Sequence, residues 1–216
     1  VNISHLERGV DFADLHTAYI DEGVVIGKGT FIGPCVSLEG STVIGDNCRI
    51  LQNTRIKDSK IADDVEVQAS VITESTVGAG SKVGPFAYLR PKSVIGDGCK
   101  VGDFVEVKNS SLGDGSKASH LTYIGDSDVG RDVNIGCGVV FVNYDGTSKH
   151  RSNIGNGVFI GCNTNLVSPV QVEDGAYIAA GSTITEDVPE DALAVGRARQ
   201  RNIEGWAAKK GLYNKK

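Results

Sequence analysis

His120 is the residue best suited to general acid–base chemistry in this 216-residue chain. The sequence has four histidines, and only His120 lies within a regular repeat, in the segment KASHLTYIGD. An imidazole with a reference pKa of about 6.5 can accept a proton at neutral pH. By type alone, a histidine in a repeat is more often a solvated turn residue, so its surroundings decide between the two interpretations.

Charged and aromatic side chains recur around His120 at spacings close to one turn of a coiled scaffold. Arg90 lies in GPFAYLRP, Glu106 and Lys108 lie in GDFVEVK, and Tyr123 follows His120 by three residues. In a three-sided coil of about 18 residues, such positions stack along one edge. A guanidinium fork beside an ammonium group suits a phosphate monoester. A row of surface ion pairs is the alternative.

A thirteen-residue step between Phe141 and Ile154 interrupts the repeat and contains NYDGTSKHRSN. Loops on a regular scaffold often carry function, although insertions are also tolerated there. Lys149 and Arg151 would supply positive charge to an anionic ligand. The sequence therefore predicts a loop over 143–153 that is either functional or simply solvated.

Aliphatic residues recur every six residues, with occasional five-residue steps, from Ile26 to Ile184. A six-residue unit is too short for a hairpin and does not match the helical period, so each unit reads as one strand and a turn. About 27 units give about nine triangular coils, or a prism roughly 40 Å long. We expect an all-β parallel β-helix over 24–188. Because aliphatics fill it, ligands must bind outside or between prisms, and a ring of three prisms is expected.

Two segments lie outside the repeat. Residues 1–23 read as a short helical lead and a loop, and residues 189–216 as a loop, a short helix and a basic tail. The chain begins with Val1 and contains no Met, which suggests a piece of a longer protein.

Composition narrows the class of protein further. A net charge of −5 argues against nucleic acid as the main partner. No apolar run approaches the roughly 20 residues that span a bilayer, and no signal peptide opens the chain. The five cysteines are scattered and lack a CxxC pair, which favours reduced thiols in a cytoplasmic protein over disulfides or zinc.

Linked motifs make a specific resemblance. The runs LRP, FVEVK, HLTYIGD, VNIGCG and VNYDG resemble the acetyltransferase domain of the bifunctional N-acetylglucosamine-1-phosphate uridyltransferase/glucosamine-1-phosphate acetyltransferase family, from about Gly9 to residues 204–206. The resemblance implies a left-handed coil. It also implies acetyl transfer from acetyl-CoA to the amine of glucosamine-1-phosphate, giving N-acetylglucosamine-1-phosphate for UDP-N-acetylglucosamine synthesis and cell-wall precursors.

The same resemblance implies residue roles. His120 would be the general base, oriented by Glu106, and Lys149 would come from a neighbouring subunit of a homotrimer. The amino sugar phosphate would be bound by Arg90, Lys108, Tyr123 and Asn134. Acetyl-CoA would be bound by Cys137, Asn143, Tyr144, Cys162, Ala180 and Arg197.

Two positions depart from the family pattern, and one half of the family is missing. Cys137 stands where the family commonly has Ala, and Cys162 where it has Ser; the backbone N–H of Cys137 is the implied oxyanion donor. No Gly-rich nucleotide loop occurs in the chain. No metal is therefore expected here, since magnesium would serve only the uridyltransferase half.

Three other functions compete with this one. Another hexapeptide acyltransferase would act on a different amine or hydroxyl. A metal-dependent hydratase would need several histidines in the coils, and only His120 is available. A structural trimerisation or regulatory module would need no catalytic residue at all.

Overall fold

The computed structural model describes residues 1–211, which form a parallel β-helix. Short strands lie in three parallel sheets of 11, 10 and 9 strands, one on each side of a triangular prism. The chain passes from sheet I to sheet II to sheet III and then begins the next coil. We name the edges between sheets the I–II, II–III and III–I corners.

The strands have the following bounds. Sheet I contains β1 (Asp11–Phe12), β4 (Phe31–Ile32), β7 (Arg49–Ile50), β10 (Glu66–Val67), β13 (Lys82–Val83), β16 (Lys100–Asp103), β19 (Lys117–His120), β22 (Asn134–Ile135), β25 (Phe159–Ile160), β28 (Tyr177–Ile178) and β30 (Leu193–Ala194). Sheet II contains β2 (Tyr19–Ile20), β5 (Ser37–Glu39), β8 (Arg55–Lys57), β11 (Val71–Thr73), β14 (Tyr88–Leu89), β17 (Glu106–Lys108), β20 (Tyr123–Gly125), β23 (Val140–Val142), β26 (Asn165–Val167) and β29 (Thr183–Ile184). Sheet III contains β3 (Val25–Ile26), β6 (Val43–Ile44), β9 (Lys60–Ile61), β12 (Thr76–Val77), β15 (Val94–Ile95), β18 (Ser111–Leu112), β21 (Ser127–Val129), β24 (Ser152–Ile154) and β27 (Gln171–Val172).

The aliphatic repeat fills the interior of the prism. Every inward position that the six-residue spacing predicts is buried, including Ala118 at the weakest point of the pattern. Stacked strands pair in register, as Leu89 does with Val107 and Val107 with Ile124, so like positions lie above one another. The predicted fold class is confirmed, and outward-facing residues are left to build any site.

Buried hydroxyl groups complete the corners. Ser81 donates to the carbonyl of Gly96 at 2.8 Å and accepts the N–H of Cys99 at 2.9 Å. Thr30 makes the equivalent pair of bonds to Gly45 and Cys48. Because a buried hydroxyl without a partner would be costly, these bonds allow small polar residues inside the corners.

The coils extend further than the sequence predicts. Strands β1 and β2 lie within residues 1–23, and β30 lies beyond residue 188. Phe12 and Ile20 pack against the core; Ile20 continues the six-residue spacing below Ile26, whereas Phe12 lies eight residues before Ile20. About ten coils at roughly 4.8 Å each make a prism of about 48 Å.

Two short helices flank the coils. Helix α1 (Asn2–Glu7) precedes β1, and α2 (Trp206–Lys209) follows β30, as the sequence predicts. The predicted basic tail lies partly beyond residue 211, outside the described residues. Within residues 1–211, no helix is long and apolar enough to cross a membrane. The predicted loop occupies residues 143–151, between β23 and β24.

We expect Phe141→Ala to destabilise the fold far more than Val140→Ala on the same strand. Phe141 is fully buried, whereas Val140 is 37% exposed on the outer face. Removing a buried phenylalanine costs about 3–5 kcal/mol, and an exposed substitution usually changes stability by about 0.5 kcal/mol or less. Urea unfolding followed by circular dichroism measures both. Equal losses would contradict the inward placement of Phe141.

Candidate functional site

His120 lies at the end of β19, at the I–II corner, and is held by a carboxylate. Asp103 is its register partner one coil below, and the His120 Nδ1 and Asp103 Oδ1 atoms are 2.6 Å apart. The hydrogen bond from His120 lowers the pKa of Asp103, which therefore remains a carboxylate. With Nδ1–H donated to Asp103, the lone pair of the exposed Nε2 is available to accept a proton.

The partner of His120 differs from the predicted one. The resemblance implies Glu106, but Glu106 lies past the corner on sheet II, in register with Tyr123. Sequence reasoning missed Asp103 although it is 17 residues before His120, the length of one coil here. That spacing was the available signal.

Glu106 instead positions Arg90. The Arg90 Nη1 and Glu106 Oε1 atoms are 2.8 Å apart. This hydrogen bond raises the pKa of Arg90, and the guanidinium also lies 6.0 Å from the ring centroid of Tyr88. About two fifths of each charged side chain is exposed, so the pair is accessible to a ligand.

The loop brings Lys149 to the II–III corner beside Lys108, because the N–H of His150 donates to the Asn143 carbonyl at 2.8 Å and the N–H of Asp126 donates to the Lys108 carbonyl at 3.0 Å. The interaction with Lys149 is the largest cause that lowers the pKa of Lys108, followed by burial, while Asp126 opposes the shift. Lys149 belongs to the loop of the same chain. Its expected contribution to the site of a neighbouring subunit stays a prediction. Adjacent ammonium groups are a local concentration of positive charge that an anion would relieve.

A buried network holds the start of the loop against sheet II. Asn143 donates to Asp126 Oδ2 at 2.5 Å and lies 3.4 Å from the hydroxyl of Tyr123. Burial alone would raise the pKa of Asp126, but hydrogen bonds from Asn109 and Asn143 lower it overall. Gly125 is required here, because a Cβ would lie 2.4 Å from the Tyr123 hydroxyl. The network ties the hydroxyl of Tyr123 to the start of the loop.

Three predicted acetyl-CoA residues form a column above His120. The register of β19, β22, β25 and β28 stacks Cys137, Cys162 and Ala180 on successive coils at the I–II corner. At about 4.8 Å per coil, the column extends roughly 14 Å from His120. Among residues 1–211, none of these three backbone N–H groups has an acceptor. They form a line of free donors.

The III–I corner shows that this freedom is local. There, the N–H of Lys28 donates to Asp46 Oδ1 at 2.8 Å, and the N–H of Asp46 donates to Asp63 Oδ1 at 2.8 Å. Buried or partly buried N–H groups are normally satisfied. The I–II corner therefore offers N–H donors to a ligand, whereas the corresponding donors at the III–I corner are bonded to aspartate side chains.

Arg197 lies at the far end of the column. Its Cδ atom is 4.0 Å from the position that a Cβ on Gly181 would occupy, directly after Ala180. Gly181 has a φ of +72°, which glycine adopts without strain. The guanidinium thus lies beside the corner rather than on a separate surface.

Three predicted residues lie elsewhere in the chain. Asn134 is exposed on the outer face of sheet I, between Lys117 and Phe159. Asn143 and Tyr144 lie on the loop at the II–III corner, not on the column. One chain therefore does not bring Asn134 together with Tyr123.

The arrangement has three chemical capacities. The His120–Asp103 pair can transfer a proton through Nε2. Arg90, Lys108 and Lys149 can bind an anion at the other edge of sheet II. The free N–H column can bind an extended ligand that carries carbonyl groups.

Family models match two parts of the chain. The model described as "EIF2B subunit epsilon LbH domain" matches residues 5–107, and the model described as "Bacterial transferase hexapeptide (six repeats)" matches residues 151–186. The first covers the lower coils and the second the coils above the loop. Both agree with the repeat, and the chain is a left-handed parallel β-helix.

Whole-chain relatives are bifunctional proteins from clostridia. The "Bifunctional protein GlmU" of Clostridium beijerinckii is 59% identical over 98% of this chain and 47% of its own length. That of Clostridium kluyveri is 57% identical over 98% of this chain and 46% of its own length. The chain thus spans about half the length of these relatives.

Solved structures share the fold at low identity. An Arabidopsis UDP-N-acetylglucosamine acyltransferase is 18% identical, with a TM-score of 0.63 over 92% of this chain and 75% of that chain. The enzyme of that name from Campylobacter jejuni is 20% identical, with a TM-score of 0.51 over 83% and 70%. At these identities the likeness concerns the fold alone.

Thiol alkylation should separate the five cysteines by exposure. Cys35 and Cys162 are exposed, Cys137 is intermediate, and Cys48 and Cys99 are buried. Burial also raises the pKa of the Cys48 and Cys99 thiols, which disfavours the reactive thiolate. Iodoacetamide and peptide mass spectrometry should show modification of Cys162 and Cys35 first, and of the buried pair only after unfolding.

Acetyl-CoA should protect Cys137 and Cys162 in the same experiment. Cys35 serves as the internal control, because it lies on a coil far below the column. Equal protection of Cys35, or no protection of Cys162, would contradict the column as the site of acetyl-CoA.

Proposed function

Because the chain belongs to the family of the bifunctional GlmU proteins, we propose that it transfers an acetyl group from acetyl-CoA to the amine of glucosamine-1-phosphate. The product, N-acetylglucosamine-1-phosphate, would enter UDP-N-acetylglucosamine synthesis. The observation that carries the proposal is the His120–Asp103 pair, which lies on the same sheet edge as the free N–H column.

His120 is the general base of the proposed reaction. Nε2 takes a proton from the amine, the nitrogen forms a bond to the thioester carbonyl carbon, and the C–S bond then breaks. The proton on His120 can pass to the departing thiolate of CoA. Asp103 orients the ring and favours its protonated form during the reaction.

The phosphate is assigned to Arg90, Lys108 and Lys149. Lys108 lies five residues beyond Asp103. The two residues are therefore at most about 16 Å apart, and less than that because the chain turns at Phe104. Tyr123 lies between the two edges on the outer face of sheet II. A sugar phosphate on this face would meet a base at one side and cations at the other.

Acetyl-CoA is assigned to the column. The N–H of Cys137, one coil above His120, is placed to donate to the carbonyl oxygen as it gains negative charge. The N–H groups of Cys162 and Ala180 would bind the amide carbonyls of the pantetheine arm, and Arg197 a phosphate of CoA. Backbone donors explain why Cys in place of Ala or Ser is tolerated at two of these positions.

A homotrimer would complete the site. Asn134 lies on sheet I and Tyr123 on sheet II, so both can face one ligand only if a second copy places its sheet I against this sheet II. Apolar side chains at the I–II corner support such contact. Phe86 and Phe104 stack with centroids 5.4 Å apart, and Leu121 follows, each more than half exposed. Exposed apolar patches commonly mark interfaces.

The direct test is release of free CoA thiol from acetyl-CoA with glucosamine-1-phosphate as acceptor. We expect release that depends on the acceptor, falls sharply with unphosphorylated glucosamine, and drops by roughly 10²–10⁴ in kcat for His120→Ala. His16→Ala, in the first coil between β1 and β2 and far below His120, is the matched control. Equal release with other acceptors would indicate a broader acyltransferase, and no release by the intact trimer would indicate a structural module.

Asp103 and Glu106 should affect different kinetic constants. Asp103→Asn removes the carboxylate partner of His120 and should lower kcat with little change in KM for glucosamine-1-phosphate. Glu106→Gln releases Arg90 and should chiefly raise that KM, because Arg90 acts in binding. Steady-state kinetics of both variants measures the split. The reverse pattern would restore Glu106 as the partner of His120.

A further inference from the structure

The last residue of the loop is fully engaged by the body of the protein. Arg151 Nε and Nη2 each lie 2.5 Å from an oxygen of Asp128, and Nη1 lies 2.9 Å from the carbonyl oxygen of Asn109. Asp128 also accepts the hydroxyl of Ser111 at 2.7 Å. We call Arg151, Asp128 and the Asn109 carbonyl the Arg151 clamp.

These contacts change the role predicted for Arg151. The sequence suggests that it supplies charge to an anionic ligand, but its guanidinium is paired with Asp128. The hydrogen bonds between Arg151 and Asp128 raise the pKa of Arg151 and lower the pKa of Asp128. A bidentate pair of this kind fixes geometry as well as charge.

Asn109 connects the clamp to the other end of the loop. Its side-chain amide donates to Asp126 Oδ1 at 2.5 Å, and Asp126 in turn accepts Asn143 at the start of the loop. The backbone carbonyl oxygen of Asn109 accepts a hydrogen bond from Arg151 Nη1. Both ends of the loop are therefore attached around the residue that directly follows Lys108.

Lys149 lies two residues before Arg151, and the N–H of its neighbour His150 donates to the Asn143 carbonyl at 2.8 Å. Asn143 bonds to Asp126, whose N–H donates to the carbonyl of Lys108 at 3.0 Å, so the loop brings Lys149 beside Lys108. Two ammonium groups repel each other, so an unattached loop would move Lys149 away from Lys108. An antiparallel bridge between Tyr144 and Lys149 joins the two sides of the loop but does not tie it to the coils. Among residues 1–211, the clamp is the direct attachment to the coils that lies nearest to Lys149 along the chain.

We propose that Arg151 and Asp128 are positioning residues that hold Lys149 against Lys108 and so complete the phosphate subsite. This rests on the proposed function for the identity of the anion. The positioning itself is a property of the loop, with or without substrate. The guanidinium of Arg151 is paired with Asp128 and does not bind the ligand. The Arg151 clamp instead opposes the repulsion between the two lysines.

The kinetic test compares Arg151→Gln, Lys149→Gln and the double variant. Arg151→Gln should raise KM for glucosamine-1-phosphate about tenfold, the size of one charged hydrogen bond, and leave kcat nearly unchanged. In the Lys149→Gln background the same change should add less than about twofold, because its effect passes through Lys149. Asp128→Asn should reproduce Arg151→Gln. Inorganic phosphate, as a competing anion, should lose affinity in parallel.

Arg55→Gln is the matched control. Arg55 makes a comparable two-bond pair with Glu39 on sheet II, at 2.7 and 2.8 Å, three coils below Lys108. Its loss should leave KM unchanged. An equal increase from Arg151→Gln in both backgrounds would mean that Arg151 contacts the substrate itself, and a loss in kcat alone would also overturn the proposal.

Hydrogen exchange separates this inference from the proposed function. Mass spectrometry of free Arg151→Gln protein should show faster amide exchange in residues 143–151 than in wild type, with other coils unchanged. Unchanged exchange in the loop would overturn the clamp whatever the kinetics. A wild-type protein without acetyltransferase activity would overturn the proposed function and leave the exchange result to decide the clamp.

Discussion

Stacking in register between successive coils is the constraint on which the structure depends. Two-residue strands are too short to be stable alone, so each must give its backbone hydrogen bonds to the coils above and below. The inward aliphatic residues then fall into columns, as Leu89, Val107 and Ile124 do. The same constraint aligns the outward residues, which is how side chains a full coil apart become neighbours.

The three corners use this alignment in different ways. At the III–I corner, Asp46 and Asp63 accept N–H groups of the coils below and close the edge. At the I–II corner, the N–H groups of Cys137, Cys162 and Ala180 have no acceptor among the described residues, and small side chains leave them open. The candidate site thus lies at the corner where, among residues 1–211, no side chain accepts these N–H groups. A rigid column keeps these donors aligned without any ligand.

The sequence predicts the fold well because one periodic signal specifies it. The six-residue spacing identifies the buried aliphatic positions, and the cluster of Arg90, Lys108 and Tyr123 follows from coil length. Asp103 and the Arg151–Asp128 pair were not predicted. Each depends on a coil of particular length: 17 residues separate Asp103 from His120, whereas 23 separate Asp128 from Arg151 across the loop. Because coil length varies, spacing suggests candidate ion-pair partners but does not select one.

The ends of the prism escaped prediction for a related reason. Phe12 packs against the core, but it lies eight residues before Ile20, so the six-residue spacing does not mark it. The loop was located correctly because it interrupts an otherwise steady period. Its internal contacts, such as the approach of Lys149 to Lys108, depend on side-chain packing at its base rather than on spacing.

Each six-residue unit forms one side of the prism. Inserting or deleting a unit therefore rotates all the residues that follow it around the axis of the prism. Removing one six-residue unit between Lys108 and His120 would move His120, together with the column above it, to a different corner, away from Asp103. Removing a whole coil would leave His120 at the same corner, one coil lower. Adding or removing complete coils below Tyr88 therefore leaves the face that carries the site intact, whereas a change of a single unit within the site separates its parts.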